Sequence, residues 1–146
     1  MDNKRKKIIA WVLMLLWMVF IFFMSNQPGE VSSKQSDFVV VLMNMLGLDL
    51  SKFGDLATFV IRKGAHFTEY MILYLLVFNV IRFYVKSKLG YIYSLMIVFG
   101  YACSDEFHQL FVDGRSGQFT DVLIDTSGGT FGMMVIYIKN MLSHRN

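Results

Sequence analysis

The stretch KRKKIIAWVLMLLWMVFIFFM, residues 4–24, sets four consecutive cations before 17 uninterrupted apolar residues, Ile8 to Met24. At about 1.5 Å of rise per residue such a run makes a helix near the lower limit for crossing a bilayer. Basic residues before an apolar run also describe a secretory signal. This run exceeds a usual signal core, however, and only Ser25-Asn26-Gln27-Pro28-Gly29 follows it, with no small-residue cleavage pattern. It reads as a retained membrane span, residues 8–24.

Working outward, three further apolar stretches predict spans at 64–82, 89–107 and 121–139. Their ionisable residues sit near one end of each, the position at which a membrane helix tolerates them. Between the first two spans, Phe38–Leu46 is too short to cross and predicts an interfacial or re-entrant helical segment within residues 36–60. The expected fold is an all-α membrane protein of one domain, residues 1–146, with four transmembrane helices. Composition agrees: 55% of the 146 residues are hydrophobic and only 17% charged, against about 25% in an ordinary soluble domain. That apolar fraction excludes disorder. The single cysteine, Cys103, excludes an intramolecular disulfide and multi-cysteine metal patterns; it reads as a small packing residue.

The formal net charge of +3 conceals an asymmetry. With the N-terminus inside, Lys4, Arg5, Lys6, Lys7, Arg82, Lys86, Lys88, Lys139 and Arg145 fall on the inner side. Lys34, Lys52, Arg62, Lys63 and Arg115 fall outside. Nine cations against five predict cytoplasmic N- and C-termini in the cytoplasmic membrane. Of the acids, only Asp2 is inside, so the outer side is net −5 and the inner side net +8. Insertion accounts for the basic residues, which removes the case for nucleic-acid binding.

The outward acids gather at the outer ends of the spans. Lys63, His66, Glu69 and Tyr70 form one helical stripe by i+3 and i+4 steps. Asp105, His108 and Gln109 share a face at the end of the third span, with Glu106 pointing away and read as solvated or paired with a cation. Asp121 and Asp125 lie one turn apart on a stripe continued by Gly128 and Gly132, a close-packing pattern for membrane helices. Arg115 returns toward the same mouth in the turn Asp113-Gly114-Arg115-Ser116-Gly117, while Arg62 reads as reaching for head groups. A polar network that only joins helices needs fewer groups than these. The candidate catalytic set is His66, Glu69, Asp105, His108 and Asp121. The candidate ligand-binding set is Lys63, Tyr70, Gln109 and Arg115. His66, Glu69, Asp105 and His108 have the i, i+3 spacing of helical metal sites and ligand types suited to Zn, Mn or Fe. Metal-free acid–base chemistry beside an anion held by Lys63 and Arg115 is equally compatible. The nucleophile elbow of serine hydrolases and the H-E-x-x-H pattern of zinc proteases are absent.

Five stretches in order, Ser25–Gly29, Lys63-Gly64-Ala65-His66-Phe67-Thr68-Glu69-Tyr70, Ser104-Asp105-Glu106-Phe107-His108-Gln109, Gly114–Gly117 and Asp121-Val122 leading to Gly128 and Gly132, resemble the VanZ-like family of small bacterial membrane proteins. The resemblance covers nearly the whole chain. It implies a cell-envelope role associated with resistance to teicoplanin-type glycopeptide antibiotics, but no defined reaction. Asp125 is a departure, since members of the family often carry Asn there, and this ranks its charge below the others. The expected ligand is therefore an anionic membrane lipid or lipid-linked cell-wall precursor, bound or acted on at an outward-facing pocket. The alternative is a non-catalytic protein that binds or shields against lipophilic antibiotics. A transporter is disfavoured, because the polar groups sit at one leaflet and the sequence has no inverted repeat.

Overall fold

A computed structural model describes residues 2–143; Arg145, assigned above to the inner side, lies outside them. The described residues form five α-helices and a single 3-10 turn, with no strands. The helices are α1 (Asn3–Ser25), α2 (Gly29–Met45), α3 (Asp55–Ile81), α4 (Leu89–Gln109) and α5 (Phe119–Ser143). The helices α1 and α3 are long and apolar enough to cross a membrane. The other two long helices, α4 and α5, have 21 and 25 residues, or about 32 and 38 Å.

Two boundaries differ from the sequence reading. The short interfacial segment is a full helix of 17 residues, α2, which begins directly after Pro28. Proline holds the φ needed to enter a helix but lacks an N–H, so it suits this position. The helix ends where Gly47, at φ 92°, takes the left-handed conformation and the Leu48 N–H bonds back to the Met43 carbonyl. Second, α3 starts at Asp55, nine residues before the expected span. Apolarity marks only the part of a helix that needs burial, whereas the backbone continues until Gly54 interrupts it.

The bundle is organised around α3, which meets α1, α2, α4 and α5. Tyr70, Leu73, Tyr74, Val77 and Val80, spaced on one side of α3, are fully buried in the core. Helix directions follow from cross-links. The Trp17 indole N–H donates to the Glu69 carbonyl (3.0 Å) and the Trp11 indole to the Tyr84 hydroxyl (3.1 Å), so α1 and α3 are antiparallel. The Tyr101 hydroxyl donates to the Met18 carbonyl (2.6 Å) and Gln109 to Ser25 Oγ (3.0 Å), so α1 and α4 are parallel.

The α3–α5 seam is the tightest. A Cβ on Gly128 would run into the Phe67 carbonyl, and one on Gly132 would stand 3.0 Å from the Met71 carbonyl. The two backbones meet there because neither glycine has a side chain, which bears out the close-packing reading of this stripe. The remaining faces are apolar and exposed, as at Leu16 (61%), Phe23 (63%) and Met96 (63%).

Candidate functional site

The end of α1, the start of α2, the 62–70 stretch of α3, the end of α4 and the start of α5 converge at one end of the bundle. The tight α3–α5 seam sets two cross-helix pairs. Lys63 Nζ lies 2.5 Å from Asp121 Oδ1, with both side chains mostly buried. One turn on, His66 Nδ1 lies 3.4 Å from Asp125 Oδ1. The i+3 step on α3 and the i+4 step on α5 keep the pairs in register.

Across from these pairs stands the end of α4. Asp105 is buried, faced by the Ser25 hydroxyl, the Gln109 amide and the Tyr70 hydroxyl. The Gln109 amide is shared between Ser25 Oγ at 3.0 Å and Asp105 Oδ2 at 3.4 Å. Glu106, expected to point away and to be solvated or paired with a cation, is buried as well. Its Oε2 accepts the Gln118 backbone N–H at 2.9 Å, and its carbonyl lies where a Cβ on Gly117 would fall. The loop before α5 folds back over the side of α4 that helical spacing assigns to water, and this buries Glu106. Asp125, ranked below the other acids in the sequence reading, is fully buried at the centre of the cluster, and neither of its oxygens has a hydrogen bond.

Arg115 anchors the same loop. Its Nε donates to the Gln27 carbonyl (2.9 Å) and its Nη2 to the Met24 carbonyl (3.1 Å). The Gly29 N–H donates to the Asp113 carbonyl (3.0 Å), and a Cβ at Gly29 would collide with the Gly114 carbonyl. Helix α2 is thereby held against the α4–α5 loop. Burial lowers the pKa of Arg115 from its ordinary value, and the nearby Asp105 opposes the shift; a guanidinium starting this high keeps its charge.

Two cavities share this end. The larger, about 190 Å³, lies between α2 and α3. His66, Glu69, Asp105 and Arg115 form its polar side, and Val39 and Ile61 are among its apolar walls. The smaller, about 80 Å³, reaches Lys63, Gln109 and Asp121. Arg62, His66 and Arg115 line both. Arg62 thus stands at the junction, although its sequence position suggested only a head-group contact.

Not every candidate joins this group. His108 Nε2 is 3.1 Å from Asn26 Oδ1, and its ring lies 4.8 Å from that of Phe22, so it packs on α1 and lines neither cavity. The compact carboxylate cluster among the described residues is Asp105, Glu106 and Asp125, in place of the sequence-derived quartet. Tyr70 is fully buried and lines neither cavity, with its ring 6.2 Å from that of Tyr101. Sequence reasoning missed Arg62 and Glu106. The only available signal for Glu106 was its place beside Asp105 at the end of an apolar run.

A bundle of five helices with a cluster of buried carboxylates, a histidine and two arginines around paired cavities defines a small helical protein with a polar pocket at one end. The chain matches the family described as VanZ/LLP1 over residues 10–140 and belongs to it. No curated protein and no solved structure matches the chain.

Proposed function

We infer that this protein crosses the cytoplasmic membrane four times, through α1, α3, α4 and α5. Both termini are cytoplasmic, and the pocket opens toward the outer leaflet. There it binds an anionic, lipid-linked ligand of the cell envelope. The observation that carries this reading is the larger cavity: guanidinium groups of Arg62 and Arg115 at its polar end, apolar residues of α2 and α3 along its wall. A phosphate or carboxylate suits the two guanidinium groups, and an acyl or isoprenyl chain suits the wall. The exposed apolar face of α2, with Phe38, Val41, Leu42 and Met45, fits a helix lying at the membrane surface beside that opening.

Lys63, expected to hold the anion, is occupied by Asp121, so its role is to fix the α3–α5 register at the smaller cavity. His66, Glu69, Asp105 and Asp121 supply proton donors and acceptors around the ligand's charged group; Gln109 orients Asp105. The family's association with teicoplanin-type resistance fits a protein that engages envelope lipids or the antibiotic's lipid tail at that leaflet.

The test uses dodecyl phosphate and the zwitterionic dodecylphosphocholine as probes, titrated into protein held in lipid nanodiscs. Wild type should prefer dodecyl phosphate. Arg62→Gln and Arg115→Gln should each weaken it about tenfold, equivalent to about 1.4 kcal/mol, while Lys52→Gln should not. Equal affinity in the double variant Arg62→Gln/Arg115→Gln and in wild type would overturn the reading. In cells, the double variant should lose any teicoplanin protection that wild type gives at equal expression.

A further inference from the structure

We propose that Asp105, Glu106 and Asp125 bind one divalent cation of the hard, oxygen-preferring class. Each offers a carboxylate oxygen, and the three oxygens lie within 4.8 Å of one another. Two ligands on opposite sides of one such ion, at about 2.0–2.4 Å each, are separated by about 4–4.8 Å at most. The three side chains are 4%, 5% and 0% exposed.

Burial favours a cation at this cluster. Carboxylates crowded out of water must be neutralised by a proton or a compensating cation, and two of the nearby side-chain cations already hold other partners. Lys63 pairs with Asp121, and Arg115 donates to the Gln27 and Met24 carbonyls. His66 and Arg115 act on the cluster, and His66 Nδ1 stands 3.4 Å from Asp125 Oδ1 without a hydrogen bond. Glu106 Oε1 and both oxygens of Asp125 are likewise buried without hydrogen bonds. Buried polar atoms in folded proteins nearly always have partners, and a cation held by the three carboxylates would give these acceptors one.

A separate observation comes from α3. The Tyr70 hydroxyl is fully buried, has no hydrogen bond of good geometry, and faces Asp105 and Asp125. A water bound to the cation would give that hydroxyl a partner. The donor set selects the ion class. Three carboxylates without sulfur suit Mg²⁺, Mn²⁺ or Ca²⁺ rather than Zn²⁺ or copper. The frame is also held in place. Glu106 is pinned by the Gln118 N–H, and Asp125 by the α3–α5 contact at Gly128.

This site borders the larger cavity through Asp105 but does not depend on a lipid ligand, so its test uses metal alone. Full-length protein in detergent micelles is titrated with Mn²⁺ and followed by electron paramagnetic resonance, then challenged with Mg²⁺ and Ca²⁺. One Mn²⁺ per chain is expected, displaced by at least one of the two competitors. Asp125→Asn and Glu106→Gln should each weaken binding at least about tenfold, and Glu30→Gln should not. The proposal is overturned if wild type takes up no Mn²⁺, Mg²⁺ or Ca²⁺ stoichiometrically. It is also overturned if Glu106→Gln, which retains an oxygen for the Gln118 N–H, binds as tightly as wild type. That variant decides the matter even if Asp125→Asn fails to fold. Metal binding without dodecyl phosphate binding would sink only the lipid reading; the converse would sink only this one.

Discussion

The α3–α5 seam gives the sharpest quantitative prediction, because three glycines of the same chain differ only in what lies opposite them. A Cβ at Gly128 meets the carbonyl of Phe67, with the Phe67 Cα also 3.1 Å away. These are backbone atoms in the middle of α3, so no rotamer change relieves the contact and α5 must withdraw. A gap of about 0.5–1 Å forfeits a quarter to a half of each van der Waals well along the seam. Overpacking of this kind costs about 1–3 kcal/mol, while replacing a helical glycine by alanine returns about 1 kcal/mol of propensity. The net for Gly128→Ala is a loss of about 1–2 kcal/mol, since a backbone clash puts the first quantity toward its upper end. Gly100→Ala, on α4 with nothing within 4 Å, receives only the propensity gain, about 0.4–1 kcal/mol. Gly132→Ala falls between, because the Met71 carbonyl stands 3.0 Å away and the Tyr74 side chain 3.3 Å. Unfolding free energies in mixed micelles should therefore rank Gly100→Ala first, then wild type, Gly132→Ala and Gly128→Ala. The same withdrawal moves Asp121 and Asp125 from Lys63 and His66, so Gly128→Ala should also weaken Mn²⁺ binding. If Gly128→Ala proves as stable as Gly100→Ala, the parallel α3–α5 contact is wrong, and the site built on it goes too.

Asp121→Asn should destabilise by about 1–3 kcal/mol, since it takes the partner from a mostly buried lysine, and Lys63→Met/Asp121→Leu should recover most of that; a double-mutant cycle in micelles measures the coupling. Arg115→Lys cannot span both the Gln27 and Met24 carbonyls, so limited proteolysis should cut its 110–118 loop faster than in wild type. Topology is checked in a Cys103→Ala background. Lys34→Cys should react with a membrane-impermeant maleimide on intact cells, and Lys86→Cys only after permeabilisation; the reverse pattern would invert the proposed orientation. Glu106→Gln should leave the fold intact, with circular dichroism unchanged, because the Gln118 N–H keeps an acceptor.

Much of the site was legible as stripes. The 3.6-residue period placed Lys63, His66 and Glu69 together, and put Asp121 and Asp125 on the glycine face of α5. The apolar runs likewise located all four long helices. Periodicity fails where its premise of one buried face fails. Glu106 follows Asp105 by one residue, about 100° around the helix, and both are buried because α4 is covered on one side by α3 and α5 and on another by the returning loop. His108 shares a nominal face with Asp105, yet its longer ring reaches Phe22 and Asn26 on α1.

The sequence by itself determined that the chain is helical and that its acids collect at one end. Apolar run length and the spacing of charges are local quantities, read directly along the backbone. It also carried enough ordered motifs to point to the family. Only the tertiary structure decided which charges meet: Lys63 with Asp121, His66 with Asp125, and Glu106 within a carboxylate cluster. Those pairings depend on how far α5 can approach α3 and on where a nine-residue loop lands. Such distances are set by packing across the bundle, between residues such as Lys63 and Asp121, 58 positions apart in the chain, and no local pattern encodes them.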